Sequence, residues 1–149
     1  MVKKNTILIS LILFLTSCGF TPIYVKNNNV NFSIEQVKFI GDRELNNFIK
    51  TNLYKYNNKE KENKIFIEVN SEYKKIIISK DGTGEVTNYQ LEANVVFLIK
   101  SSNKIIKINE KKIMENMDNK FEESNYEKST KQSFASSITN KLVSKLIAN

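Results

Sequence analysis

Three sets of side chains in this 149-residue sequence could do chemistry. The first is the thiol of Cys18, the only cysteine. The second is the adjacent carboxylate pair Glu122 and Glu123, acids of the kind a small hydrolase would use for acid–base work. The third is lysine. Lys74, Lys75 and Lys80 gather around Asp81-Gly82, and Lys100, Lys104 and Lys107 flank Ser101-Ser102-Asn103. Lysines at two turns are candidate contacts for anionic groups, although lysines at strand ends also serve simply to protect an edge. Neighbouring acids in a polar stretch are ordinarily solvated. The chain has no histidine and no tryptophan. Imidazole acid–base chemistry and Cys/His zinc sites are therefore excluded. No Walker loop, GxGxxG, GxSxG or Asp-rich calcium loop occurs. A catalytic role is not expected.

The setting of Cys18 tells more than the thiol does. Lys3 and Lys4 precede an apolar run from Ile7 to Leu15, broken only by Ser10, and Leu15-Thr16-Ser17-Cys18 closes it. A basic start, a short apolar stretch and small residues before a cut are the layout of an export signal. The run is about half the ~20 residues that a membrane-spanning helix needs. Leu15-Thr16-Ser17-Cys18 resembles the lipobox of bacterial lipoproteins. That resemblance implies cleavage before Cys18, diacylglycerol on its thiol and an acyl chain on its new amine. With no second cysteine, a disulfide does not compete for it. Residues 1–17 are thus read as signal peptide, leaving 132 residues, enough for one domain with one core. The formal charge of +7 falls to +5 when the two lysines of the signal, which has no acids, are removed. Much of that excess accompanies asparagine and isoleucine and is compositional, yet it favours anionic partners.

Residues 18–31 read as a lipidated tether and 32–149 as the domain. About ten extended residues would reach some 30 Å. Phe20, Ile23 and Tyr24 add apolar bulk to an otherwise polar stretch. Phe32, Ile34, Val37 and Phe39 fit a first strand with an irregularity near Glu35-Gln36. Asp42 is a plausible cap for a helix over Arg43 to Tyr56, where Leu45, Phe48, Ile49, Leu53 and Tyr56 recur at helical spacing. A second strand from Lys64 to Ile78 ends in Asp81-Gly82-Thr83-Gly84, a hairpin in which both glycines are free to take positive φ. In the third strand Tyr89, Leu91, Ala93, Val95, Phe97 and Ile99 alternate with Asn88, Gln90, Glu92 and Asn94. Val96 and Leu98 make its far half apolar on both sides, as if covered twice. A fourth strand spans Lys104 to Met114 with its register open, and Met117 to Asn125 reads as polar connection. The last helix is expected over Ser129 to Ala148. Phe134, Ala135, Ile138, Leu142, Leu146 and Ile147 would face inward, with Lys131, Lys141 and Lys145 outward. The order β-α-β-β-β-α predicts an α+β fold: a four-stranded mixed sheet with two helices packed on one face.

This pattern, opened by Cys18-Gly19-Phe20-Thr21-Pro22-Ile23-Tyr24, resembles the LPS-assembly lipoprotein family LptE over essentially the whole mature chain. The shared marks are the CGFxPxY opening, the strand start at Tyr89 and Leu91, the Val95-Val96-Phe97 strand core and the closing helix. The resemblance implies an outer-membrane lipoprotein, anchored on the periplasmic side, that plugs the β-barrel LptD, helps it assemble and takes part in lipopolysaccharide export. Gly19 is not the aspartate that commonly retains lipoproteins at the inner membrane. The implied partners are an LptD-like barrel, lipopolysaccharide and outer-membrane lipid, with no nucleic acid and no cofactor beyond the lipid on Cys18. Lys74, Lys75 and Lys80, and second Lys100, Lys104 and Lys107, would be the lipopolysaccharide contacts. Asn88, Gln90, Glu92 and Asn94 would suit a plug's polar surface in a wet lumen. The alternative is another outer-membrane lipoprotein, a barrel-assembly accessory or a structural module of the envelope.

Overall fold

The computed structural model describes residues 30–148, so Cys18, the signal and most of the expected tether lie outside it. Strand β1 (Ser33–Gly41) leads into helix α1 (Arg43–Leu53), which ends in a 3-10 turn over Tyr54–Tyr56. Then follow β2 (Lys64–Lys80), β3 (Val86–Ile99), β4 (Lys104–Glu115) and helix α2 (Lys120–Ile147). The sheet order is β1-β2-β3-β4, with β1 parallel to β2 and the later pairs antiparallel. This is the mixed four-stranded α+β architecture that the sequence predicts.

One side of the sheet holds the core. Val69, Leu91, Ala93 and Phe97 are fully buried beneath Leu45 and Ile49 of α1 and Ala135, Ile138 and Leu142 of α2. Each large side chain so buried stabilises the fold by about 1.5–3 kcal/mol. The core also takes in Val30, two residues ahead of the expected domain start at 32.

The parallel join between β1 and β2 turns on Gly41 and Asp42. The Asp42 carboxylate accepts from the Leu45 N–H at 2.7 Å, so it caps α1 as the sequence predicts. The Asp42 N–H donates to the Ser71 carbonyl of β2 at 3.0 Å, tying the helix start to the sheet. Gly41 has φ +100°, and a Cβ there would sit 1.8 Å from the Ser71 carbonyl oxygen. The expected irregularity in β1 is also present, between Ile34 and Gln36. The Asn57 side chain donates to the Ile34 carbonyl at 3.1 Å there.

Several expectations are corrected. Helix α2 begins at Lys120, not Ser129, because the Asn119 side chain accepts from the Phe121 and Glu122 N–H groups and two acids occupy the first turn. This front third of α2 is held by charge where the rear is held by apolar packing, so an apolar stripe could not reveal it. Glu123 is buried and bonded by Lys75 at 2.5 Å and Lys120 at 2.8 Å. Lys75 also bonds Glu127 at 3.4 Å and lies over the Tyr89 ring at 4.4 Å. Lys112 lies 4.7 Å over Tyr126. Lys131 does not point outward: its side chain is only 12% exposed, 2.9 Å from Glu44 and 4.2 Å over the Tyr73 ring. Ile147 is exposed and Val143 takes an inward place. In the β2–β3 hairpin Gly84 alone takes positive φ, and the Asp81 carboxylate closes the turn by accepting from Thr83 and Glu85. Val96 and Leu98 are half-buried, with no second layer over them among the described residues.

Two measurements test this construction. Gly41→Ala should cost at least about 3 kcal/mol, read as a lowered denaturant midpoint, because both the clash and the left-handed φ oppose a Cβ. The hydrogen bonds from Lys120 and then Lys75 hold the Glu123 carboxyl down at about 2, against an ordinary 4.5. A depressed carboxyl stabilises the fold above its unfolded pKa, and that contribution is lost as pH falls from about 4.5 to about 2. Glu123→Gln should therefore lower stability at neutral pH by about 2 kcal/mol and flatten the acid limb of a midpoint-versus-pH curve in that window.

Candidate interaction surface

Among the described residues, the other face of the sheet carries no helix. Strand alternation sends Glu68, Asn70, Glu72 and Lys74 of β2 to this side, with Asn88, Gln90, Glu92 and Asn94 of β3. Lys107, Asn109 and Lys111 of β4 complete the polar centre. Glu92 is its hub. Its carboxylate accepts from Gln90 at 3.1 Å, Asn94 at 3.0 Å and Asn109 at 3.1 Å, and pairs with Lys111 at 3.3 Å. The hydrogen bond from Asn94, with Lys111 and Asn109 behind it, holds the Glu92 carboxyl below its ordinary range. Asn109 further donates to Asn94 at 2.6 Å. The four residues expected to form a polar surface thus share one face, and three of them form one network.

Apolar side chains bound this network at both ends. Phe66 and Ile105, 41% and 59% exposed, stand near Leu98 at one end. Ile76 and Ile113, 39% and 63% exposed, flank Gln90 at the other. The sequence reading missed these ends. The signal was present in β4, where every second residue from Ile105 to Ile113 reads Ile, Lys, Asn, Lys, Ile.

The structure does not gather the predicted lysines into one patch. Lys74 faces the open side and pairs with Glu72 at 2.9 Å, whereas Lys75 points to the helix side and is consumed by Glu123 and Glu127. Burial alone would lower the Lys75 pKa, but the two carboxylates outweigh it and hold the ammonium charged. Lys80 is exposed near the hairpin turn. At the next turn Lys100 pairs with Glu68 at 2.8 Å, while Lys104 and Lys107 are exposed and, three residues apart, stand on opposite faces. Hydrogen bonds dictate which lysines remain available, and the sequence does not show those bonds.

The carboxylate pair is divided in the same way. Glu122 is exposed, and Glu123 is ionised to about pH 2 within its lysine pair. The open cleft beside it is lined by Glu44, Lys120, Glu123, Glu127, Lys128 and Lys131, a set of charges that largely neutralise one another. Among the described residues no three carboxylate, thiol or imidazole groups converge to hold a metal. No described helix is long and apolar enough to cross a membrane.

No family model matches the chain, and no curated protein matches it significantly. Solved structures do. Lipoprotein B from Nitrosomonas europaea matches with TM-score 0.55 and 14% identity, covering 81% of this chain and 88% of its own. Rare lipoprotein B from Shewanella oneidensis matches with TM-score 0.53 and 13% identity, over 76% of this chain and 98% of its own. A minor lipoprotein from Acinetobacter baumannii matches with TM-score 0.51 and 12% identity, over 75% and 94%. At such identities what the chain shares with these bacterial lipoproteins is the fold.

Proposed function

We propose that this chain is an outer-membrane lipoprotein, lipidated on Cys18, that seats in an LptD-like β-barrel, assists the barrel's assembly and takes part in lipopolysaccharide export. The observation that carries the reading is the open sheet face. A large barrel's lumen is polar and wet, and an object seated in it needs a cohesive polar surface that requires no apolar cover. The Glu92 network is such a surface. The likeness in fold to lipoproteins of three bacteria supports the envelope setting, as do the lipobox and its basic, apolar leader. Several acyl chains bind a bilayer far better than one, at about 0.8 kcal/mol per buried CH₂. The reading assigns no reaction to the chain and no cofactor besides that lipid.

Lipopolysaccharide offers phosphates and acidic sugars. The lysines best placed to meet them are Lys80, Lys104 and Lys107, exposed and without an ion pair among the described residues, and Lys74, whose partner Glu72 is itself exposed, unlike the Glu68 that holds Lys100. Lys75 acts instead as a strut. Lys74→Gln with Lys80→Gln should weaken lipopolysaccharide binding by the purified protein several-fold and flatten its salt dependence, with the thermal midpoint nearly unchanged. Lys75→Glu should instead lower that midpoint. Unchanged binding in the double glutamine variant would remove these lysines from the reading.

Purification from outer membrane in mild detergent tests the whole. A stable one-to-one complex with a large β-barrel is expected, together with loss of surface lipopolysaccharide when the chain is depleted. Recovery as a free monomer with surface lipopolysaccharide intact would favour a structural envelope module. Cys18→Ala should move the protein to the soluble periplasmic fraction, and continued membrane attachment without a barrel partner would refute the anchor.

A further inference from the structure

We infer that the outer edge of β4, unpaired among the described residues, is a strand-pairing site for an extended acidic segment of another protein. The backbone sets the geometry. The Asn116 N–H donates to the Thr87 carbonyl at 2.8 Å, one step beyond the Asn88–Glu115 pair. Opposed residues of an antiparallel ladder alternate between exchanging bonds and not doing so. The even-numbered residues of β4 therefore bond to β3. Ile105, Lys107, Asn109, Lys111 and Ile113 turn their N–H and C=O groups outward, and their side chains stand on the open face.

Two further observations set this edge apart from the one on β1. The β3–β4 register runs unbroken from Asn88–Glu115 to Ile99–Lys104, so β4 presents twelve residues without a bulge. In β1 the ladder is interrupted between Ile34 and Gln36. Ile105 and Ile113 are also the two most exposed large apolar side chains of the sheet, at 59% and 63%. A long, regular edge with apolar side chains is a template for another strand.

The row of side chains selects the occupant. Ile105, Lys107, Asn109, Lys111 and Ile113 form a pattern symmetric about Asn109, so a strand running in either direction meets the same sequence of groups. A second copy does not fit. The symmetric register that sets Ile105 against Ile113 also sets Lys107 against Lys111 twice, and opposed like charges destabilise. Edge lysines deter self-pairing in this way, and toward an acidic strand the same charges attract. Lys107 has no ion pair among the described residues, and Lys111 is half-exposed, so both can reach a partner. The complementary segment carries two acids four positions apart, a polar residue between them and an apolar residue two positions outside each. The inference goes beyond the proposed function and does not depend on it.

The test uses the full-length chain purified in detergent and two fluorescent peptides of alternating pattern. One carries valine, glutamate, asparagine, glutamate and valine on its recognition face, and the other has lysine in place of glutamate. The acidic peptide should bind and slow hydrogen exchange at the odd-numbered amides of β4, and the basic one should not. Lys107→Glu with Lys111→Glu should reverse the preference, weakening the acidic peptide about tenfold or more. Asn109→Pro removes one outward N–H without touching the β3–β4 ladder and should abolish binding. Asn109→Thr, which loses the same side-chain bonds but keeps the N–H, should bind as before. Equal binding of both peptides, binding that survives Asn109→Pro, an absence of β4 protection, or dimerisation through β4 would each overturn the assignment.

Discussion

The two helices among the described residues both pack on one face of the four-stranded sheet, and the remaining features follow from which face they cover. The odd-numbered residues of β2 and β3 and the even-numbered residues of β4 meet the helices. Strand periodicity then leaves the complementary residues facing outward, and these must be stable without a cover. Their stability comes from lateral bonding: Glu92 gathers three amide donors and a lysine, converting a row of isolated polar groups into one network. The constraint that makes the core therefore also makes the surface available for binding.

Which residues face inward is fixed at the join between β1 and α1. A parallel pair needs a crossover, and here the crossover begins within one residue of the sheet. Gly41 allows the backbone to pass against Ser71, and Asp42 at once caps the helix and bonds β2. A side chain at position 41 would push α1 away from β2, and the helix-side cover of Ile67 and Val69 would be lost with it. Two residues thereby decide where α1 and its buried Leu45 and Ile49 sit against the sheet, which no hydrophobic pattern could encode.

Periodicity made the strands and the rear of α2 legible in the sequence. Leu91 to Ile99 alternates so cleanly that its buried set follows directly, and Asp42 and the irregularity in β1 were visible in local chemistry. The front of α2 was not legible, because between Lys120 and Ser129 the side chains that meet the sheet and its neighbours are Glu123, Tyr126 and Glu127, which a hydrophobic template counts as solvent-facing. The lysines failed for the matching reason. Lys75 and Lys131 resemble Lys74 and Lys80 in sequence, yet a carboxylate and a tyrosine ring bind each of the former pair. Sequence proximity finds charge, and only tertiary contact shows whether that charge is already satisfied.

The same distinction separates the two ends of the lysine inventory by function. A lysine whose ammonium lies between a carboxylate and an aromatic face is costly to withdraw, since burial has already removed its water and its partner would be left unpaired. Lys75 and Lys131 thus hold α2 and α1 against the sheet and have little left to offer a ligand. Lys74 has an exposed partner in high dielectric, where an ion pair contributes at most about 1 kcal/mol, so an incoming anion can displace the Glu72 carboxylate at small cost. Lys111 is itself half-exposed, and its partner Glu92 keeps three amide donors if Lys111 turns to another anion. Lys107 has nothing to displace among the described residues. Recognition of acidic groups should accordingly concentrate on the open face and its β4 edge and leave the helix side to the fold.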